Sequence, residues 1–478
     1  MFEGLIQSYS QSFVLQALAS IEHQEQLTVV INSHAKEPET VVFGPQSAAK
    51  GVQIVILNPN AWVRICQAFD LGFAEAYIYQ ELECDDLRHV FQLYLRNRTR
   101  LGFGNRLLSF LPRLRHLLFT PTNTLAHSRS NVTFHYDTSN ALFAALLSPD
   151  MNYSNGWWSN NPHETLETAQ IRSVHNILQK ARIAPTDHIL DIGCGWGSLA
   201  IEAARLIGCR VTGITLASEQ KALAEKRIKA AGLDDRITIL LCDYRNAPMP
   251  AGGYDRIVSV EMVEHVGKKY MDGFFGTISR LLKPEGGILV MQAITTNNMM
   301  HDNKPGITTF TDRYIFPGGY LCSTNVFLNA LHRGSDGTLE LDSLQSIGPS
   351  YIKTLVTWRE NFLENWGLIR KDYIDRHPEA TEHEIEAFRR VWVYYFTYCE
   401  AGFRSRVLTN HVITAVRTPE PAINDPIPVF DEVLEPNLGF DSSHFKTGSP
   451  WTYNGKELRA AQGIDDALNV RDDPVTQL

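Results

Sequence analysis

The chain has 478 residues, 44% of them hydrophobic and 20% charged, with a formal net charge of −9; this supports two or more folded domains and gives no general reason to expect a nucleic-acid partner. Seven cysteines are scattered without a CxxC pair, which argues for reduced thiols in a cytosolic setting and against a disulfide framework or a zinc site. No run of about 18 apolar residues is present, so nothing is expected to span a bilayer, and the stretch MFEGLIQSYSQSFVLQ lacks the basic region and apolar core of a secretory signal.

Residues 1 to about 118 mix short strand-like runs, LTVVI and GVQIVIL, with a helical stretch near 60–95. Between Asp86 and Asp137 there is no acidic residue, yet Arg88, Arg96, Arg98, Arg100, Arg106, Arg113, Arg115 and Arg129 all fall there. The centre of that segment, RNRTRLGFGNRLLSFLPRLRHLLF, interleaves arginines with Leu and Phe. It could lay an apolar side into a headgroup layer while the guanidiniums meet lipid phosphates. The plain alternative is a connector helix whose arginines pair with acids elsewhere. TPTNTLAHSRSN (120–131) is polar and turn-rich and reads as a linker.

From 187 to 296 strands and helices alternate. HILDIG leads into a helix from Ser198, and CRVTGIT into the helix ASEQKALAEKRIKAAG. ITILLCD, YDRIVSV and GGILVMQAI follow, with an amphipathic helix at KKYMDGFFGTISRLL before the last. Continuous apolar strands between helices predict an α/β fold with a doubly wound parallel sheet. After Thr418 the chain is rich in Pro, Asp and Asn and is expected to be extended or only partly ordered.

In a doubly wound sheet, ligands sit beyond the carboxyl ends of the strands. The turn after the first of these strands is LDIGCGWG (190–197), a GxGxG arrangement of Gly193, Gly195 and Gly197 preceded by Asp191. It matches neither the GxGxxG of a dinucleotide site nor the GK[ST] ending of a phosphate loop. An acid ahead of the glycines repels phosphate and suits a cation. S-adenosylmethionine, with its ammonium and sulfonium, is the cationic ligand expected here. Asp243, after the third strand in LLCDY, is placed to accept a bond from an adenine amino group.

HYDTSNALF (135–143), MNYSNGWW (151–158), LDIGCGWG, GITLASEQ (213–220), VEHVG (263–267), YIFPGG (314–319) and CEAGFRSR (399–406) occur in this order. Together they resemble the cyclopropane-fatty-acyl-phospholipid synthases and mycolic acid cyclopropane synthases, over roughly residues 60–418. The resemblance implies a Rossmann-like class I methyltransferase domain over 132–418, preceded by a smaller α+β lipid-docking domain over 1–120 and a linker at 121–131. Residues 419–478 form a C-terminal extension, and LGFAEAYIYQELECDD (71–86) resembles the docking domain's signature. A cytoplasmic protein held peripherally at membranes is implied, acting on an unsaturated phospholipid, with the oligomeric state open between monomer and homodimer.

The resemblance also implies residue roles. S-adenosylmethionine is expected at Asp191, Gly193, Cys194, Gly195, Gly197, Thr215, Leu216, Gln220, Asp243, Tyr244 and Arg245, with Tyr153 and Ser154 closing over its methionine end. The acceptor is the cis double bond of an acyl chain, whose attack on the sulfonium methyl leaves a carbocation. A bound bicarbonate ion then serves as base, lined by Asn155, Glu264, Gln292 and Tyr351 and the backbone near Ile294. Tyr351 and the aromatics of VYYFTYCEAGF could face the cation or simply be core. Cys399 fills a position labelled as an active-site cysteine in the family, although an apolar setting would raise its pKa and leave it structural.

Two positions depart from the family pattern. Asn155 stands where a cysteine is usual, and Gln292 where a histidine is usual. Both keep hydrogen-bonding capacity, so methyl transfer is better supported by sequence than ring closure. The alternatives are a C- or N-methyltransferase for a sphingolipid, amine or other small hydrophobic acceptor, and a non-catalytic lipid-binding protein.

Overall fold

A computed structural model describes residues 2–20, 26–33, 36–45, 51–97, 139–302, 309–418, 451–453 and 456–458. The centre of the arginine-rich segment, the linker and most of the C-terminal extension lie outside the described residues. The chain divides into two compact units. Among the described residues no helix is long and apolar enough to cross a membrane.

One unit comprises Met1–Ser139, Asp302–Gly319 and Trp358–Val407. Its sheet contains β1 (Gln26–Ser33), β2 (Lys36–Phe43), β3 (Gly51–Ile56) and β4 (Leu82–Cys84) in the order β2-β1-β3-β4. The alternation of β3, with Val52, Ile54 and Ile56 inward, buries one face as a half-buried strand requires. The helical stretch expected near 60–95 is interrupted: helices Asn60–Ile78 and Leu87–Asn97 flank β4, which pairs with β3. Against both helices packs Glu382–Arg404, whose start is fixed by a capping box between Thr381 and Glu384. Phe91, Phe310, Tyr394 and Tyr398 close this core, with Phe310 and Tyr394 ring centroids 4.6 Å apart.

The other unit comprises Asn140–His301, Tyr320–Thr357 and Leu408–Leu478. It holds β5 (His188–Ile192), β6 (Arg210–Thr215), β7 (Ile237–Leu241), β8 (Arg256–Val260), β9 (Ile288–Thr296), β10 (Leu339–Ser346) and β11 (Leu408–Arg417). The order is β7-β6-β5-β8-β9-β11-β10, with β5 to β9 mutually parallel and β11 antiparallel to both its neighbours. The five parallel strands are the five apolar runs expected from sequence. The antiparallel pair β10–β11 was not foreseen, because the burial of β10 alternates weakly along a polar sequence, LELDSLQS.

Apolar cores lie against the sheet, one built on Phe274, Phe275 and Ile278 and another on Ile177, Ala200 and Ile201. Each fully buried aromatic contributes roughly 1.5–3 kcal/mol. The strand order reverses between β5 and β8, which is where a sheet of this kind opens a ligand crevice. The turns that follow β5 and β8 therefore carry the chemistry.

Candidate active site

Gly193, Gly195 and Gly197 all adopt positive φ, at 82°, 53° and 82°, a conformation that side chains disfavour. Gly197 caps the helix Ser198–Ile207. The N–H groups of Gly193 and Cys194 both bond the Ile214 carbonyl at 3.0 Å, which pins the turn to β6. Beside the Gly195 α-carbon the space is open for 4 Å. A ligand can approach the backbone there.

Asp191, at the end of β5, is 2% exposed, and its Oδ2 has no hydrogen-bond partner among the described residues. Burial alone pushes its carboxyl up to about 7. An unpaired buried carboxyl is costly, and a bound cation would repay that cost. Thr215 donates to Gln220 Oε1 at 2.7 Å, and Leu216 beside it is exposed. Asp243 is gripped by Arg245 through Nε at 2.7 Å and Nη2 at 2.8 Å, with Arg245 over the Tyr244 ring. Tyr153 packs on Phe143, which packs on Trp196 of the glycine turn, and Ser154 donates to Asn152. This donor set, with an orphaned carboxyl and an open glycine cradle, fits a cationic nucleoside cofactor.

The buried carboxyl makes a sign-specific prediction. Because Asp191 holds its proton up to about pH 7 when folded but only to about 4 when unfolded, the ligand-free fold loses stability as pH rises through that window. Asp191→Asn removes the loss, so its Tm should match wild type near pH 4 and exceed it near pH 8. At about 1.4 kcal/mol per pKa unit the gain is at most about 4 kcal/mol. Thermal unfolding across pH checks this, and parallel curves would show that Asp191 is ionised with a partner.

A second cluster gathers after β8. Glu261 is its hub: Oε1 accepts from the Asn155 N–H at 3.3 Å, Gln292 Nε2 at 2.8 Å and Asn410 Nδ2 at 2.9 Å, while Oε2 accepts from the Tyr351 hydroxyl at 2.8 Å. Asn155, Gln292 and Asn410 are almost wholly buried. Desolvation raises the Glu261 pKa, and these four donors oppose the rise. Glu261 also sits at φ 50°, strain of order 1–3 kcal/mol of the kind that persists at functional sites. Glu264 accepts from the Ile294 N–H at 2.6 Å through Oε1, and its Oε2 is buried without a partner. Burial, and then the charge of Glu261, push Glu264 up to about 8. Two like charges in one dry site resist ionising together, so Glu261 carries the charge and Glu264 the proton.

Sequence reasoning assembled Asn155, Glu264, Gln292, Tyr351 and Ile294, and the structure brings them together. It missed Glu261 and Asn410. The side chain of Asn155 works differently from expectation: Nδ2 donates to the Ile347 carbonyl at 3.0 Å and Oδ1 accepts from Thr354, leaving only its backbone N–H for the hub. Each of these groups already makes a bond among the described residues, and an added anion would meet two carboxyl groups. The residues present do not fit that ion. Cys399 and Tyr394, Tyr395 and Tyr398 belong to the other unit, where desolvation pushes the Cys399 thiol up to about 12. Met262, between the two glutamates in sequence, packs on Gly193, its Cγ 2.9 Å from where a Cβ would stand. The carboxylates and the glycine turn therefore share one wall.

Residues 123–413 match the family model described as mycolic acid cyclopropane synthetase. The chain is 35% identical to the tuberculostearic acid methyltransferase of Mycobacterium tuberculosis, over 77% of this chain and 84% of that one. It is also 35% identical to the cyclopropane-fatty-acyl-phospholipid synthase of Escherichia coli, over 74% and 85% respectively. Among solved structures it is similar to a mycolic acid cyclopropane synthase complexed with SAH and CTAB, at 28% identity and a TM-score of 0.51, covering 60% of this chain and 98% of that one.

Proposed function

The chain belongs to the mycolic acid cyclopropane synthetase family, and from that premise we propose that it transfers a methylene unit onto the cis double bond of an unsaturated phospholipid acyl chain. It is an S-adenosylmethionine-dependent methyltransferase of lipids, and the proposal concerns its acceptor and product. The observation that carries the reading is the shared wall: a desolvated carboxylate pair at Glu261 and Glu264 adjoins the glycine turn through Met262.

Asp191, Gly193, Gly195, Thr215, Gln220 and Asp243, with Tyr153 and Ser154, would hold the cofactor. When bound, S-adenosylmethionine supplies an electrophilic methyl group on a sulfonium. An alkene is a weak nucleophile, so the protein has to position it, exclude water and stabilise a carbocation. Fixed negative charge in a dry site does this best, since its dipolar partners are already oriented.

A second reading, simple methylation without ring closure, is favoured by the similarity to a tuberculostearic acid methyltransferase. Purified protein, cofactor and unsaturated phospholipid vesicles should yield a lipid that gains one CH₂ unit and loses its alkene signal. Gain of the unit with an alkene retained selects the second reading, and no lipid product overturns both. Anionic and neutral vesicles at low and high salt also test the docking role inferred from the arginine-rich segment. Each basic residue near a surface contributes about 1 kcal/mol and is screened by salt, so anionic vesicles should bind more tightly and lose that advantage in salt.

A further inference from the structure

We propose, on the double-bond reading above, that Glu261 accepts the proton released at ring closure, a task that a dissolved anion would otherwise perform. Three observations converge on it. Its Oε1 is saturated by three donors, from Asn155, Gln292 and Asn410, while Oε2 holds only the Tyr351 hydroxyl. One lone-pair side of Oε2 is thus left to receive a proton. Its backbone is held at φ 50°, a conformation in which glycine is the comfortable residue, so the carboxyl is kept here against local preference. Finally, the Ile294 N–H, a backbone donor of the cluster, is taken by Glu264. A free anion there would lie against the Glu261 and Glu264 carboxyl groups.

The step balances. A C–H bond of the newly attached methyl group breaks, and its electron pair forms the third ring bond to the cationic carbon. The proton goes to Glu261 Oε2, so cation and carboxylate become neutral ring and neutral acid. After product departs, the acid returns its proton to water. Glu264, held neutral beside it by burial, keeps a second charge from competing in the resting site.

The positive φ supplies the test, because Glu261→Gly relieves the backbone while emptying the cage. In buffer freed of carbon dioxide, wild type should form ring product at a rate that added bicarbonate changes by less than about twofold. Glu261→Gly should lose about a hundredfold or more, the usual worth of a positioned base, and bicarbonate should restore about tenfold. Bicarbonate should also raise the Tm of Glu261→Gly and leave that of wild type unmoved, a readout independent of turnover. Glu261→Gln, which fills the cage without a base, should lose the rate and gain nothing from bicarbonate. Wild type that methylates lipid only with bicarbonate overturns this proposal alone, as does full ring formation by Glu261→Gly without it. Wild type that leaves unsaturated lipid unmodified overturns the double-bond reading and this one with it.

Discussion

Gly195→Val should abolish binding of S-adenosylhomocysteine, lowering affinity at least about a hundredfold, or roughly 2.7 kcal/mol, in a protein that still folds. The two halves of this expectation have separate grounds. No atom of the described residues lies within 4 Å of where the new Cβ would stand, so the core is not overpacked. The left-handed backbone at φ 53° costs a branched residue about 1–2 kcal/mol, which for a unit of this size lowers Tm by a few degrees. The open space itself is what the side chain removes. Calorimetry with the folded variant decides: undiminished affinity would take the glycine turn out of the site.

Glu264→Gln should lower product formation about a hundredfold to a thousandfold, the scale of losing one preorganised charge partner. In the ligand-free protein its carboxyl lies near 8, raised by burial first and by Glu261 second. The ionisable groups it faces are acids, Glu261 and the Cys322 thiol, and the Ile294 N–H bond offsets them in part, so a bound cation would draw it down further. A sulfonium would do so, and Glu264 would then ionise on binding. The sign follows: activity rises with pH toward the ligand-free value of about 8 and falls as Glu264 is protonated below it. Glu264→Gln flattens that limb. It should also weaken S-adenosylmethionine more than S-adenosylhomocysteine, because only the former carries the sulfonium. Equal effects on both ligands, with an unchanged pH profile, would make Glu264 a packing residue.

The parts legible in the sequence were those whose meaning is local. A glycine turn, an acid two positions ahead of it and five apolar strands each occupy a few consecutive residues. Glu261 was illegible for the opposite reason. In VSVEMVEHVG it reads as the polar end of a strand, and its significance depends on Asn155, Gln292, Tyr351 and Asn410, the last 149 residues away. Asn155 shows a related limit. Its residue type announced a hydrogen-bonding side chain, but that amide is engaged by Ile347 and Thr354, and the useful donor is the backbone, which residue type does not encode. Cys399 illustrates a third: a family position within a conserved-looking motif lies in the other compact unit, in surroundings that suppress its thiolate.

The strand that supplies Asn410 also gives the site a birth date. β11 is inserted between β9 and β10, with Asn410 opposite Ile294, although it is made after both. During synthesis at about 5–20 residues per second, the interval between Glu261 and Asn410, 149 residues, lasts roughly seven to thirty seconds. Through that interval the nascent chain carries its glycine turn and both glutamates but lacks the strand that joins β9 to β10 and the amide that completes the donors around Glu261.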